Sequence, residues 1–283
     1  MGGPVEVEAA FSGHAEFAPH FKPRKTISYV VFDFDGTLSL IRQGWPEVML
    51  LMFVEMLPRK DGVTVESDEQ MLLDDIMKLN GKQTVYQMMQ LAERIKERGG
   101  EPKEPLWYKH EYHRRLDERI QSRHRRIEEG ACVEDEFLVF GARYSLEKLK
   151  SLGLPMCLAS GTDEPFVKRE AALLGIAAYF DGRIYGALDD HKSFSKKILI
   201  ERILRENNIP GESLLSFGDG YVEIENTKEV GGLAIAVASN EANNGSGKVD
   251  EWKRKQLLGV GADVVISDYR DIDPLIDVVW ERA

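Results

Sequence analysis

An α/β fold, a doubly wound parallel sheet carrying a second, smaller all-helical domain, is the architecture this sequence predicts, on three observations. Five short apolar runs, 27–32, 154–159, 213–217, 233–238 and 263–266, end at turn residues and read as strands buried on both faces. Segments 136–151, 163–174, 195–207, 221–230 and 270–282 show helical spacing and alternate with them, the pattern of a parallel sheet covered by helices. Residues 43–130 break that alternation with four helical stretches, near 44–57, 67–79, 84–98 and 105–128, and read as an inserted helical domain.

Residues 1–24 are polar, mixed and carry three prolines, so they are expected to drape loosely as an N-terminal extension. The core domain is then 25–42 together with 131–283. With 283 residues, 43% of them hydrophobic, the chain is long enough for one large domain or two smaller ones, each with its own core. A charged fraction of 30% and a net charge of −11 argue against nucleic acid or an anionic membrane as a partner. Only Cys132 and Cys157 occur, the second inside an apolar run, which suits a buried thiol and a reducing setting. The amino terminus has no basic start followed by an apolar core, and Glu6 departs from the myristoylation pattern. The longest apolar stretch, Val48 to Leu57, is short and broken by Glu55, so a soluble, cytoplasmic protein is expected.

The first run, Ile27 to Phe32, is β-branched and aromatic and stops at Asp33-Phe34-Asp35-Gly36-Thr37. Asp33 and Asp35 lie two apart on extended chain, so they point to the same side at the carboxyl end of a strand, where open α/β sheets bind ligands. Two adjacent anions need a positive partner. Within the insert fall seven of the nine methionines, residues that suit either a closing surface or an ordinary adaptable core. The second run ends in Ser160-Gly161-Thr162-Asp163 ahead of a helix near Glu164 and Pro165, a place for an anion. Phe194-Ser195-Lys196-Lys197 opens the next helix with a cation against the helix dipole, a locally unfavourable choice that hints at a role. The third run ends in Gly218-Asp219-Gly220, with Glu223 four residues after Asp219. Asp33, Asp35 and Asp219 together make a hard-oxygen set suited to Mg²⁺, with no thiolate or imidazole partners. Such an ion is the missing positive charge, and it leaves Asp33 free to attack phosphorus as a carboxylate nucleophile.

DFDGT at Asp33–Thr37, LASGT at Leu158–Thr162, Lys196, and FGDGYVE at Phe217–Glu223 together resemble the haloacid dehalogenase superfamily over residues 27–42 and 131–283. The resemblance implies that Asp33 is phosphorylated and binds the metal, and that Asp35 acts as acid and base while its main-chain carbonyl touches the metal. It implies that Ser160 and the Gly161 backbone hold the phosphoryl oxygens, Lys196 neutralises developing charge, and Asp219 is the second metal carboxylate. Glu223 stands where Asp is commoner, as a direct ligand or an orienter of one. Lys196 precedes Asp219 by 23 residues, as in small-molecule phosphatases of the family; Lys192 is the alternative. Members that cleave carbon–halogen or phosphonate bonds lack an acid at the Asp35 position, so phosphate-ester chemistry is implied, with the helical insert as a cap.

Three further signals carry less. The basic stretch 107–126 contains three histidines but does not match H-E-x-x-H, and its interleaved acids suit a solvated face. Asn244 to Lys248 lacks the first glycine of a phosphate loop and reads as a surface loop. Arg42, Gln43 and Gly44, where the chain leaves the core, are candidates for substrate contact or hinge, Arg42 first among them, or for a plain linker. The expectation is a Mg²⁺-dependent phosphatase of a small phosphorylated metabolite, a sugar phosphate or nucleotide. The alternatives are a phosphomutase and a binding module without turnover.

Overall fold

Val30 and Phe32 join one apolar cluster and Tyr29 and Val31 another, as alternate side chains of a strand covered on both faces must. The computed structural model describes residues 11–190 and 194–281. Its single seven-stranded sheet has the order β1-β7-β6-β5-β2-β3-β4. The strands are β1 (Ala15–Phe17), β2 (Tyr29–Phe32), β3 (Met156–Asp163), β4 (Ile184–Ala187), β5 (Leu214–Gly218), β6 (Leu233–Val237) and β7 (Val264–Ile266). All pairs are parallel except β1 with β7. Phe32 lies opposite both Leu158 and Phe217. The carboxyl ends of β2, β3 and β5 are therefore neighbours at one edge.

The core helices are α5 (Ala142–Ser151), α6 (Glu164–Leu173), α7 (Lys196–Glu206), α8 (Tyr221–Glu229), α9 (Glu251–Gly259) and α10 (Ile272–Val279). Leu199, Ile200 and Ile203 of α7 cover the face of Val31 and Ala159, and Ile224 and Leu257, of α8 and α9, cover Ala234 and Ala236. The sequence reading contained no strand at β1 or β4 and no helix at α9. Residues 11–24 are accordingly not a loose extension: β1 pairs with β7, Ala15 opposite Ile266, and Phe11 and Phe17 bury their rings 5.4 Å apart. That strand covers an edge of β7 that would otherwise expose unpaired backbone groups. Residues 1–10 of the expected extension lie outside the described residues.

Between β2 and β3 run α1 (Trp45–Met56), α2 (Val65–Lys78), α3 (Thr84–Glu97) and α4 (Pro105–Glu128), each within two residues of its expected bounds. Gly44 turns the chain at φ 88° with Pro46 in the first turn of α1, a start that left-handed glycine and proline both favour. The Thr64 hydroxyl caps α2, accepting from Ser67 N at 3.2 Å. Met49, Met52 and Met88 are buried in one apolar cluster that runs from Phe32 through Ile41 into the insert. Arg123 of α4 ties this insert to the chain that enters it, donating to the carbonyls of Ile41 at 2.5 Å and Gln43 at 2.8 Å. Among the described residues no helix is long and apolar enough to cross a membrane.

Candidate active site

Where β2 ends, Asp33 donates its backbone N–H to Phe217 O at 2.9 Å, which locks the Asp33 turn beside the end of β5. Its side chain, with those of Asp35, Ser160, Lys196 and Asp219, lines a cavity of about 60 Å³ under the insert. On the scale of one water per ~10–15 Å³, that is room for about four to six water-sized sites. Asn80, Thr84 and Tyr112 of the insert line the opposite wall. The turn Gly81–Lys82 seats directly on the core: a Cβ on Gly161 would lie 2.6 Å from Lys82 O. Only glycine permits that approach.

Lys196 begins α7 behind the Ser195 hydroxyl, which accepts from Ile198 N at 3.1 Å. It is buried, and its Nζ donates to Asp33 Oδ1 at 2.9 Å and pairs with Glu223 Oε1. Burial pushes the Asp33 carboxyl above its usual range, Lys196 opposes that, and Asp219 adds to it. Lys197 instead pairs at the surface with Glu229 at 2.7 Å; Lys192 lies outside the described residues.

Asp35 turns toward β3. Its Oδ2 accepts from Thr162 Oγ1 at 2.8 Å and from Ser160 Oγ at 3.4 Å, while Oδ1 is buried with no hydrogen-bond donor among the described residues. Burial raises its pKa to about 7, against the pull of Arg42 and with help from Glu170. Ser160 also accepts from Thr162 N at 3.0 Å, so the run of free N–H groups expected after β3 is partly used. Strand β3 extends to Asp163, and α6 starts beyond it.

Arg42, expected as a substrate contact or hinge or as a plain linker, lines the cavity and is also engaged inside the protein. Its Nε and Nη2 donate to Glu170 at 3.0 and 2.7 Å, and Nε stands 3.7 Å from Asp35 Oδ1. Burial works against ionisation of Glu170, yet Arg42 and His124 hold its carboxyl below the ordinary range. Glu170→Ala leaves a buried guanidinium uncompensated, and urea unfolding is expected to show a loss of about 3 kcal/mol. A loss below ~1 kcal/mol would mean that Arg42 finds another partner.

Glu223 is not with the carboxylates of the cavity. Its longer side chain folds under Gly218 and Gly220, where a Cβ would lie 2.6 Å from Glu223 Cβ and 2.5 Å from Glu223 Oε2 respectively, and meets Lys196. Among the described residues no three His, Cys, Asp or Glu side chains gather in metal-holding geometry, and Glu223, expected as a direct ligand or an orienter of one, stands on Lys196. The Asp33 and Asp219 side chains line one cavity, and with the Asp35 carbonyl they would offer an all-oxygen donor chemistry, while Mg²⁺ keeps several waters rather than demanding a full protein cage. That set fits the ion. Asp219 is oriented from two sides, by Thr37 Oγ1 on Oδ1 at 3.2 Å and by Lys253 Nζ on Oδ2 at 2.8 Å. Burial opposes the charge on Lys253, but Asp219 and Glu241 raise its pKa overall.

Sequence reasoning missed Thr162, Glu170, Lys253 and Glu241. A signal existed for two of them. Glu170 interrupts the apolar face Val167 and Ala171 of α6, which Leu174 continues just past the helix, and Asp250 before Glu251 marks the start of the helix that carries Lys253. The basic stretch of α4 is solvated on its outer face, with Arg114 and Arg115 on Glu111. Its inner face is not: Lys109 is buried and reaches Asp163 at 2.8 Å and Asp189 at 3.3 Å.

The family model for haloacid dehalogenase-like hydrolases matches residues 27–231. No curated protein matches the sequence. Among solved structures, the chain is similar to a predicted phosphatase from Clostridium acetobutylicum at 18% identity and a TM-score of 0.58, covering 89% of this chain and 97% of that one. A predicted phosphoglycolate phosphatase from Haemophilus somnus is similar at 15% identity and a TM-score of 0.57, covering 87% and 96%. The β-phosphoglucomutase of Clostridium difficile is similar at 13% and 0.54, covering 83% and 98%. At these identities the likeness is one of fold.

Proposed function

Because the chain belongs to the haloacid dehalogenase-like hydrolases, we propose that it is a Mg²⁺-dependent phosphatase of a small phosphorylated metabolite, with the helical insert as its cap. One observation carries this reading: the Asp33 carboxylate faces a small cavity at the sheet edge, paired with Lys196 at 2.9 Å and flanked by Asp35, Ser160 and Asp219. Asp33 Oδ attacks the phosphorus of a monoester, and the bond to the leaving oxygen breaks. Asp35, whose protonated form burial favours, gives its proton to that oxygen. The same carboxylate then takes a proton from the water that cleaves the aspartyl-phosphate. Ser160 Oγ and the Gly161 N–H orient phosphoryl oxygens, and Lys196 balances the charge that develops on them. The Asp33 and Asp219 side chains and the Asp35 carbonyl would hold Mg²⁺, which when bound polarises a phosphoryl oxygen. The Gly81–Lys82 turn against Gly161 keeps bulk water from the acyl phosphate.

Asn80, Lys82, Thr84 and Tyr112 of the insert, which line the cavity, would meet the part of a sugar phosphate or nucleotide that lies beyond its phosphoryl group. Purified protein with Mg²⁺ is expected to release phosphate from some member of a panel of sugar phosphates, polyol phosphates and nucleotides. Conversion of one phosphate isomer into another without phosphate release would replace hydrolysis with a mutase reading. Inactivity on every member, with a generic aryl phosphate included, would favour a binding module.

A further inference from the structure

Asp219 carries a cation for which the proposed function has no use. Its Oδ2 accepts from Lys253 Nζ at 2.8 Å, and the same ammonium donates to Glu241 Oε1 at 2.6 Å. Lys253 is 10% exposed at its side chain and Glu241 22%, so the pair runs from the buried site outward. The two carboxylates converge over the turn after Asp35: a Cβ on Gly36 would lie 2.2 Å from Asp219 Oδ2 and 3.0 Å from Glu241 Oε1. On the far side of Asp219, Lys253, Glu241, Asp250 and Glu47 line an open cleft of about 270 Å³. Lys253 thus bridges two carboxylates at once, one in the site and one on the way to solvent.

An ammonium on a carboxylate oxygen competes with a divalent ion for that oxygen's charge and lone pairs, and a buried carboxylate with no counter-ion is strongly disfavoured. Glu241 eases the conflict because it already holds the ammonium from the other side. We propose that Lys253 is an exchangeable counter-ion of Asp219: it bridges Asp219 and Glu241 while the metal is away, and gives up Asp219 and keeps Glu241 when Mg²⁺ binds. This rests on the reading of Asp219 as a metal ligand. Lys253 is a positioning residue here and touches no reacting atom.

The exchange predicts opposite signs for two substitutions, read as Mg²⁺ affinity by titration calorimetry and as the Mg²⁺-dependent rise in Tm, without any turnover. Lys253→Met removes the competitor, and Kd for Mg²⁺ is expected to fall about tenfold. Glu241→Gln leaves the ammonium with Asp219 alone, and Kd is expected to rise about tenfold. Lys253→Arg keeps the cation and is expected to stay within about threefold of the unmodified protein. If Lys253 merely pins α9 to the sheet, the Met and Gln variants move Kd in the same direction or not at all, and the proposal is overturned. Should Lys253→Met fail to fold, Glu241→Gln and Lys253→Arg still decide it: unchanged affinity in the first, or tighter binding in both, overturns it. Absence of Mg²⁺ binding by the unmodified chain overturns the ligand role of Asp219 itself, and the exchange with it.

Discussion

Asp33→Asn is expected to abolish phosphate release, lowering kcat by about 10⁴-fold or more, while the fold survives. An amide cannot attack phosphorus, and no other carboxylate is placed to substitute: Asp35 turns to Thr162 and Ser160, and Asp219 is held by Thr37 and Lys253. The fold survives because the buried Asp33 carboxylate is itself disfavoured by burial, so a neutral isostere removes a cost. Lys196 keeps Glu223 as its counter-ion. Phosphate release, near-ultraviolet dichroism and acid-quenched capture of labelled phosphoenzyme from the unmodified protein check this together. Turnover within tenfold of the unmodified protein would exclude Asp33 as the nucleophile.

Asp35→Asn carries the second large effect, and it acts on rate and stability in opposite senses. Losing the proton donor and acceptor is expected to lower kcat about 10²–10⁴-fold. The stability effect follows from the raised pKa. Below the ordinary carboxylate range both folded and unfolded chains carry the proton, so Asp35 contributes nothing to pH dependence there. Between that range and about 7 the folded chain holds a proton that the unfolded chain has lost, so folding stability falls as pH rises. Above about 7 the full cost of the buried carboxylate is present, at most about 4 kcal/mol. The Asn variant is therefore expected to unfold at a higher temperature than the unmodified metal-free protein at pH 8, with the difference vanishing near pH 4. Equal pH dependence of Tm in the two proteins would show that Asp35 is solvated.

How legible each part was follows from its physics. Strands β2, β3, β5, β6 and β7 are covered on both faces, so they appear as unbroken apolar runs such as Leu233–Val237. The insert helices are long and carry their own starts, Gly44-Trp45-Pro46, Thr64 and Pro105. Strands β1 and β4, reading AEF and IYGA, are too short for a period to show, and the apolar face of α9 is only Leu257 with half-covered neighbours. These elements exist because the sheet needs its edges and one face covered.

At the candidate site the same division holds. A strand followed by two acids, a Ser-Gly-Thr turn, a lysine at a helix start and a Gly-Asp-Gly turn were each readable where they stand. A parallel sheet brings its carboxyl ends together whatever the intervening chain does, so Asp33, Asp35, Ser160, Lys196 and Asp219 line one cavity. By itself, then, the sequence determined the sheet, the helical insert and the acids at one edge, because periodicity and strand ends are local properties. Which cation meets which acid was decided only by tertiary structure. Arg42 closes on Glu170, Glu223 on Lys196 and Lys253 on both Asp219 and Glu241. Such pairings depend on distances of a few ångströms between elements far apart in the chain, and no pattern along the chain encodes them.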